Sequence, residues 1–300
     1  MVDAKKIGLV IKTLRRRRRL TQAQLAEELG ITDKAVSKWE RGIGSPDISV
    51  INRLADILNI DSDNLLAGNV AYLEGEWIGE LHIDRFETKL SVITEVYGKP
   101  VVYIYLCYFA LAGIREIYVY CSNEEEKVLA SLLERGQPYG LVLHYNELNQ
   151  ASKKMVIEDS VFIYGPNLTK YFQRGMSHVN KQTRLTIPCE AGEACYLNDK
   201  NQVSDASDLK QGYRILPIVF YNAAKSVEYE PLGKGMIAIN LWDREDVLAV
   251  SVLLQVLMRY SGSQIYCLEE IAYRRGLISA KQLKEIADGD EYLLHLAKEK

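Results

Sequence analysis

A short helix predicted near the N-terminus carries a row of polar side chains that could form hydrogen bonds with a partner. Residues 32–42 read TDKAVSKWERG, in which Thr32 is a helix cap and Gly42 a helix stop. Helical spacing separates an apolar face from a polar one. The apolar side chains are Ala35, Val36 and Trp39, and the polar ones are Asp33, Lys34, Ser37 and Lys38. Short polar side chains on an exposed helix reach base edges in the major groove, so the pattern predicts a DNA-contacting face.

Four further predicted helices hold this face in position. Apolar residues at helical spacing predict a first helix that runs into the arginines at residues 15–19. Residues 21–30 predict a second helix with a threonine cap and a glycine stop. The link Gly-Ile-Thr joins it to the polar helix in helix-turn-helix geometry. Residues 45–60 and 61–68 predict a fourth and a short fifth helix, so residues 1–69 are expected to form an all-α, five-helix domain.

The five successive arginines at residues 15–19 cannot all face one way on a helix, so we expect about one to three of them to meet phosphate. Such contacts position a protein on DNA without reading its sequence. Arg17 is the candidate from this run. We expect Glu40 to pair with Arg15 or Arg16 inside the domain.

Residues 20–42, LTQAQLAEELGITDKAVSKWERG, resemble the lambda-repressor-like (XRE) family of DNA-binding domains, and the resemblance extends over residues 5–68. It implies that Gln22 contacts phosphate at a helix N-terminus. The residues that it implies for base reading are Thr32, Asp33, Lys34, Ser37 and Lys38. The alternative is a helical bundle of this pattern that binds protein instead of DNA.

Strand-like and helix-like runs alternate in the rest of the chain, which predicts an α/β domain with a mainly parallel sheet over residues 86–300. Residues 70–85 are the predicted junction. The strand VFIYGPN, residues 161–167, ends in a turn with Pro166 rather than in a carboxylate. Sites of α/β sheets lie past the carboxyl ends of strands, so this strand end lacks the group expected of a catalytic or metal site. Residues 213–228 predict a further strand that leads into a helix.

Two long segments of the second domain carry another resemblance. They read YGKPVVYIYLCYFALAGIREIYVYCS at residues 97–122 and CLEEIAYRRGLISAKQLKEIA at residues 267–287. Both resemble sugar-phosphate nucleotidyltransferases, specifically glucose-1-phosphate thymidylyltransferases, and the resemblance spans residues 74–297 with deletions. It implies a nucleotide-diphospho-sugar transferase-like fold. That chemistry joins a nucleoside triphosphate to a sugar 1-phosphate, and it needs a phosphate-binding loop, cations and magnesium-binding carboxylates.

The resemblance implies that the catalytic groups of that family are missing here. Counting back without gaps from the K-P segment at residues 99–100, residues 76–81, EWIGEL, take the place of the glycine-rich loop, and Leu81 takes the place of its arginine. Ser91 stands for the catalytic lysine, and Pro166 and Asn240 stand for the two magnesium-binding aspartates. A neutral amide is a poor ligand for a hard dication. The sequence therefore predicts that the protein is not an enzyme and holds neither a metal nor a cofactor.

The same family has a second nucleotide-sugar site at a subunit interface, and an E-E-I-A-x-R tail lines it. By motif match this implies Glu270, Ile271 and Arg274, with Arg274 pairing with a diphosphate. The alternative is that the motif is kept for packing of the tail.

Composition limits the partners of the chain. Residues 1–69 hold 12 Lys and Arg against 9 Asp and Glu, whereas the remainder holds 25 against 31, so only the first domain is expected to meet a polyanion. The five cysteines include no C-x-x-C, which predicts reduced thiols in a cytoplasmic protein. No run of about 18 apolar residues occurs, so no membrane partner is expected.

These observations together predict a one-component transcription regulator that binds double-stranded operator DNA as a dimer. Its second domain is expected to be catalytically inactive and to oligomerise, and the hypothesis is that it senses a nucleotide sugar. Two alternatives stay open. One is a bifunctional, active thymidylyltransferase that regulates its own genes. The other is a scaffold whose second domain only dimerises or docks a partner enzyme.

Overall fold

The structure, a computed structural model, describes residues 4–17, 20–58, 62–66, 68, 77–88, 90–189, 196–197, 203–204, 212–261 and 264–298. The chain divides into two compact units, Met1–Glu76 and Trp77–Lys300, called here the head and the body. Of the predicted junction, residues 70–76 lie outside the described residues. Residues 78–82 already form the first strand of the body.

The head contains five described helices. They are α1 (Ala4–Arg17), α2 (Gln22–Leu29), α3 (Asp33–Glu40), α4 (Ile48–Leu58) and α5 (Ser62–Leu66). The predicted caps are confirmed: the Thr21 side chain accepts from Gln24 N, and the Thr32 side chain accepts from Ala35 N. Gly30 ends α2 with a φ of 70°, a left-handed conformation that favours glycine. The tight turn that follows lets α3 cross α2 closely.

Apolar side chains on facing sides of the helices form the core of the head. The fully or almost fully buried ones are Ile7, Val10, Ile11, Leu14, Leu25, Leu29, Val36, Ile51, Leu54 and Leu58. Gly8 lies where α1 meets the end of α3, and a Cβ at this position would overlap the carbonyl oxygen of Trp39. The buried faces fix which side of α3 is left for solvent.

The body alternates strands and helices, as the sequence predicts. Its strands are β1 (Ile78–His82), β2 (Glu95–Val96), β3 (Lys99–Pro100), β4 (Glu116–Tyr120), β5 (Val142–Tyr145), β6 (Lys153–Ile157), β7 (Val161–Tyr164), β8 (Lys181–Cys189), β9 (Tyr196–Leu197), β10 (Val203–Ser204), β11 (Gly212–Asn222), β12 (Ser226–Pro231) and β13 (Ile237–Asn240). Its helices are α6 (Val102–Ala112), α7 (Asn123–Leu133), α8 (Leu168–Ser177), α9 (Arg244–Ser261), α10 (Leu268–Arg274), α11 (Ala280–Ile286) and α12 (Glu291–Leu296).

Seven of these strands form one sheet in the order β12-β8-β11-β6-β1-β4-β5. Within it β11 is antiparallel to both of its neighbours, and the other four pairings are parallel. The predicted α/β class with a mainly parallel sheet is therefore confirmed. None of the helices that the structure describes combines the length and apolar composition that a membrane span requires.

The strand predicted at residues 161–164 is confirmed as β7, but it pairs with β13 in a separate two-stranded sheet, and β6 is the neighbour of β1. Another prediction about the sheet is wrong. The helix predicted to follow the strand at residues 213–228 is absent from this described stretch, where β12 pairs with β8 instead. Pairing with a neighbouring strand overrides the local alanine-rich helix preference there.

The two faces of the sheet differ in character. On one face Gly79 of β1 lies against α6, where a Cβ would be 2.7 Å from a ring carbon of Phe109. Phe220 of β11 contacts Phe172 of α8 on the same face. On the opposite face β1 presents Glu80 and His82, because side chains alternate along a strand. The polar face carries the charged cluster described below.

Candidate functional site

The polar face predicted for α3 is open to solvent. Val36 and Trp39 are buried on the other side of the helix. The residues of this surface, called here the recognition face, are Thr32, Asp33, Lys34 and Lys38, which are exposed, and Ser37, which is half-exposed. Neither Lys34 nor Lys38 forms an ion pair with another residue in the described part of the chain. The face therefore presents cations and short hydrogen-bonding groups outward.

The last residue of α3 is held inside the head. The Glu40 carboxylate accepts from Arg15 Nε at 2.5 Å and from Arg15 Nη2 at 3.0 Å, and it accepts from Gln22 Nε2 at 2.7 Å. The predicted pairing of Glu40 with an arginine of the run is thus confirmed for Arg15. Burial acts to raise the pKa of Glu40, but the hydrogen bonds from Arg15 and Gln22 outweigh it and hold that pKa below its usual value.

This network ties together three helices that frame the recognition face. Arg15 comes from α1, Gln22 from the first turn of α2, and Glu40 from α3. Gln22, the residue predicted to contact phosphate, is thereby fixed at the N-terminus of α2. Arg17 ends α1, and its side chain lies outside the described residues. Its role at phosphate stays a prediction.

A second group of polar residues lies on the polar face of the central sheet, and we call it the β1 cluster: Glu80, His82, Tyr120, Asn149 and Lys154. Glu80 Oε1 accepts from Asn149 Nδ2 at 2.8 Å and from Lys154 Nζ at 3.0 Å. Glu80 Oε2 lies 3.3 Å from His82 Nε2. The His82 ring stacks on Tyr120 with ring centroids 4.5 Å apart.

The charges of the β1 cluster are satisfied internally. Glu80 is only 5% exposed. Burial acts to raise the pKa of its carboxyl, but hydrogen bonds from His82, Asn149 and Lys154 together lower that pKa to about 2. A carboxylate with this many partners in the chain has little capacity left for an external ligand. The cluster therefore serves first to hold β1, β6 and the loop between β5 and β6 together.

The position of Glu80 corrects the gap-free alignment. Residues 78–82 form β1, which pairs with β4 and β6, so Glu80 and Leu81 belong to a central strand and not to a phosphate-binding loop. Leu81 is fully buried. The Glu80 carboxylate is held by Asn149 and Lys154 within the sheet. Ser91 lies in an exposed turn before β2.

The carboxylates absent from the end of β7 are present at the end of β6. Glu158 and Asp159 directly follow β6, the parallel neighbour of β1. Glu158 pairs with Arg184 Nη1 at 3.2 Å, and the Asp159 carboxylate accepts from the backbone N–H of Glu87. Asn240, at the end of β13, lies opposite Val161. The sequence analysis missed Glu158 and Asp159 because the run VFIY, which has a higher strand propensity, follows them within three residues. The sequence signal for them is the pair Glu-Asp directly after the apolar run MVI, which indicates carboxylates at the end of a buried strand.

The predicted ligand residues lie on α10. The Glu270 carboxylate accepts from Arg274 Nε at 2.6 Å and from the Tyr292 hydroxyl at 2.8 Å. Ile271, which follows Glu270 in the sequence, is half-buried. Glu270 and the charge of Arg274 are thus partnered within the tail.

A cleft of about 360 Å³ lies beside α10. It opens between the β2–β3 hairpin, α9 and the tail helices, and Lys99 and Glu269 form an ion pair of 3.1 Å in its wall. Glu270, Ile271 and Arg274 do not belong to the lining of this cleft. Burial acts to lower the pKa of Lys99, but the charge of Glu269 outweighs it and raises that pKa. The described residues contain no group of three His, Cys, Asp or Glu that could hold a metal ion.

Residues 11–65 match the helix-turn-helix family HTH_3. The head is a helix-turn-helix domain of the XRE type. The HTH-type transcriptional activator BcrR of Enterococcus faecalis is 26% identical over 113 residues, which cover 38% of this chain and 53% of that relative. The helix-turn-helix domain and this regulator support DNA-binding transcription regulation.

The glucose-1-phosphate thymidylyltransferase of Neisseria gonorrhoeae is 26% identical over 260 residues, which cover 67% of this chain and 90% of the relative. The chain region beyond the helix-turn-helix domain is homologous to this enzyme. A solved structure described as a glucose-1-phosphate thymidylyltransferase from Bacillus anthracis aligns with a TM-score of 0.48 at 11% identity, over 59% of this chain and 94% of that one.

The prediction that the protein is not an enzyme is wrong. The relatives that span most of the body are enzymes. One premise of that prediction also fails, because residues 78–82 form a strand and so are not the counterpart of the phosphate-binding loop. Catalytic inactivity therefore does not follow from the residues.

Proposed function

We propose that this protein is a sequence-specific transcription regulator that binds double-stranded operator DNA through the recognition face of its helix-turn-helix domain. The observation that carries the proposal is the exposure of the polar side of α3 within a matched helix-turn-helix domain. A helix with exposed cations and short polar groups fits the major groove, where each base pair presents its own pattern of donors and acceptors.

Each candidate residue has a separate part in this proposal. Ser37 and Lys38 lie in the second turn of α3 and contact base edges, together with Thr32, Asp33 and Lys34 at the start of the helix. Gln22 and Arg17 contact phosphate and set the position of the head on the duplex. The Arg15–Glu40 pair keeps α1 and α3 in fixed relation, so that phosphate and base contacts are made in one register.

A dimer fits this proposal better than a monomer. A single helix-turn-helix module buries little DNA surface, and two linked modules that bind two half-sites multiply their affinities. The half-sites would then be related by the two-fold symmetry of the protein, about 34–36 Å apart centre to centre.

The test compares paired variants of the full chain. Selection of bound duplexes from a random-sequence pool defines the operator. Fluorescence anisotropy then measures affinity for that operator and for a scrambled duplex. The double variant S37A/K38A is expected to lose most of the difference between the two duplexes. The matched control is S131A/K127A, which removes the same side-chain types from exposed positions on α7 of the body. Unchanged operator preference in S37A/K38A would contradict the proposal.

We further propose that the body binds a nucleotide sugar and couples it to DNA binding. The proposal is supported by the homology of the body to a thymidylyltransferase and by the position of Glu270, Ile271 and Arg274 on one helix, α10. Arg274 is the candidate for the diphosphate, at the cost of its hydrogen bond to Glu270, and Ile271 is the candidate apolar contact. A ligand shifts DNA affinity only if it binds the two states differently, and a useful coupling is about 1–3 kcal/mol.

Calorimetry with thymidine, uridine, cytidine and guanosine diphosphate sugars tests this second part. Arg274→Ala is expected to abolish the response to the ligand and to leave operator affinity unchanged. Lys281→Ala, which removes an exposed cation from α11, is the control. If no sugar nucleotide binds more tightly than millimolar, the sensor idea fails and a body that serves only as a scaffold takes its place.

Nucleotidyl transfer by the body is the second candidate function. Its specific support is the homology to a thymidylyltransferase together with Glu158 and Asp159 at the carboxyl end of β6. In that reaction a phosphate oxygen of the sugar 1-phosphate attacks the α-phosphorus of the triphosphate, and pyrophosphate leaves. The test is pyrophosphate release from each nucleoside triphosphate with glucose 1-phosphate and magnesium. Release that Asp159→Asn abolishes would establish this candidate, and no release from the native chain would remove it.

A further inference from the structure

The long helix α9 carries an apolar stripe that faces solvent. Leu248, Val252 and Val256 are 64%, 50% and 48% exposed, and they lie four residues apart. At 100° per residue they all fall within about 40° of Val252 around the helix axis. Three consecutive large apolar side chains in one exposed row form a patch of the kind that marks an interaction surface.

The opposite side of α9 is already used by the body. Val247, Val250 and Leu254 are buried there, and Ser251 Oγ accepts from the backbone N–H of Tyr97. This packing fixes the rotation of the helix about its axis. The exposed stripe therefore cannot turn inward, and its apolar area is left for a partner.

The charges that flank the stripe identify the partner. Glu245 and Arg259 lie at the two ends of α9, both exposed, and both fall within about 20° of Val252 around the axis. Neither forms an ion pair with another residue of the described chain. The row Glu245, Leu248, Val252, Val256, Arg259 has intervals of three, four, four and three residues, so it is symmetric about Val252.

We infer that α9 is the contact helix of a homodimer, in which two copies of the stripe pack antiparallel with Val252 on the two-fold axis. In this arrangement Leu248 of each copy meets Val256 of the other. Glu245 of each copy meets Arg259 of the other, which places opposite charges at both ends of the contact. A surface that complements itself in this way is what a two-fold interface requires. The spacing of three and four residues also suits antiparallel helices that cross at about 20°.

The dimer contact explains how two heads reach one operator, and only this explanation rests on the proposed function. Self-association can be measured without DNA, so the two can fail separately. A body that dimerises but binds no operator would refute the regulator proposal, and a monomer that binds operator would refute the dimer.

Sedimentation velocity of the full chain over a range of concentrations is the first test. The native chain is expected to dimerise. Val252→Asp places two carboxylates against each other on the axis and is expected to weaken the dimer at least about a hundredfold. Val128→Asp, at a 43% exposed position on α7, is the control and is expected to leave the dimer intact. A native monomer, or a dimer indifferent to Val252→Asp, would overturn the inference.

Charge exchange tests the antiparallel register and avoids any loss of folding. Glu245→Arg and Arg259→Glu are each expected to weaken the dimer about tenfold, because each brings like charges together twice. The double variant E245R/R259E is expected to restore native affinity. If the loss of dimer affinity in the double variant equals the combined losses of the two single variants, the two residues do not meet and the arrangement is wrong.

Cysteine cross-linking tests the position of the axis. With diamide as oxidant, Val252→Cys is expected to form an intermolecular disulfide, because the two copies of residue 252 face each other. Leu248→Cys is expected to form none, since its two copies would lie about 12 Å apart along the axis, beyond disulfide reach. The native chain under the same oxidant is the control. Cross-linking of Leu248→Cys in preference to Val252→Cys would contradict the antiparallel register.

Discussion

The recognition face of the head and the β1 cluster of the body are both rich in charged and polar residues, but they treat their charges in opposite ways. Lys34 and Lys38 project into solvent and form no ion pair with any other described residue. Glu80 is buried and receives hydrogen bonds from Asn149 and Lys154. The contrast shows that polar residues at a strand or helix surface identify a binding surface only when their hydrogen-bonding capacity is unused.

The difference follows from the supporting elements. The carboxylate that could neutralise the head, Glu40, is turned inward and paired with Arg15, so it does not compete for the lysines of α3. On the polar face of the sheet no such separation exists, because alternation along β1 places Glu80 and His82 side by side. A buried carboxylate without partners would be costly, so the chain supplies them from β6 and from the adjoining loop.

The largest effect is expected from breaking the buried pair that supports the recognition face. Glu40→Ala leaves the Arg15 guanidinium buried without its carboxylate and is expected to destabilise the head by about 3–5 kcal/mol. Hydrogen exchange of α2 and α3 in the full chain measures this loss. Glu28→Ala, at an exposed position of α2, is the control and should leave exchange unchanged. Slow native-like exchange in Glu40→Ala would show that the pair is not needed.

The stability of the body is expected to depend on pH through the ionisation of Glu80. Its pKa of about 2 in the folded chain lies below the unfolded value of about 4.3, so its stabilising contribution is complete above the unfolded value. As the pH falls through about 4.5 towards 2, the unfolded state takes up the proton first and about 3 kcal/mol of stability is lost. Urea unfolding of the native chain and of Glu80→Gln at several pH values measures this difference. A constant difference between the two chains from pH 5 to 2.5 would contradict the pairing.

Removing the cation of the β1 cluster is expected to have a smaller effect. Lys154→Met takes one of the partners from Glu80, but Asn149 and His82 remain, so the body should lose about 2 kcal/mol of stability. Urea unfolding is the measurement. Lys127→Met on α7, an exposed lysine outside any cluster, should change the midpoint little.

The smallest effects are expected at the recognition face, where substitutions leave the stability of the folded chain unchanged and alter only its affinity for DNA. Lys38→Ala should lower affinity for the operator by about 1–2 kcal/mol and reduce the preference over a scrambled duplex. Arg17→Ala should weaken both duplexes alike and reduce the salt dependence of binding by about one released counterion. Anisotropy titrations at several salt concentrations separate the two. Equal losses of preference in both variants would mean that base and phosphate contacts are not divided in this way.

The head was predictable from the sequence because each of its signals is local. Thr21, Gly30 and Thr32 mark helix ends through contacts within four residues, and the structure places each cap as the sequence predicts. The pairing of Arg15 with Glu40 was also predictable, because the apolar faces of α1 and α3 fix how the two helices meet.

The body was predictable in class but not in detail. Alternating strands and helices gave the α/β fold, whereas the choice between β6 and β7 as the neighbour of β1 depends on pairing between distant residues. The run VFIY is the stronger strand by composition, yet KKMVI occupies the central position. The β1 cluster was not predictable for the same reason. Asn149 and Lys154 lie 69 and 74 residues after Glu80 in the sequence, and they meet it only in the folded sheet.

The central claim is that α3 reads DNA sequence. The most direct measurement is selection from a random-sequence duplex pool with the full native chain, the S37A/K38A variant and the S131A/K127A control. The account predicts that the native chain and the control enrich the same two-fold symmetric motif and that S37A/K38A enriches none. Enrichment of that motif by S37A/K38A, or the absence of any enriched motif with the native chain, would contradict it.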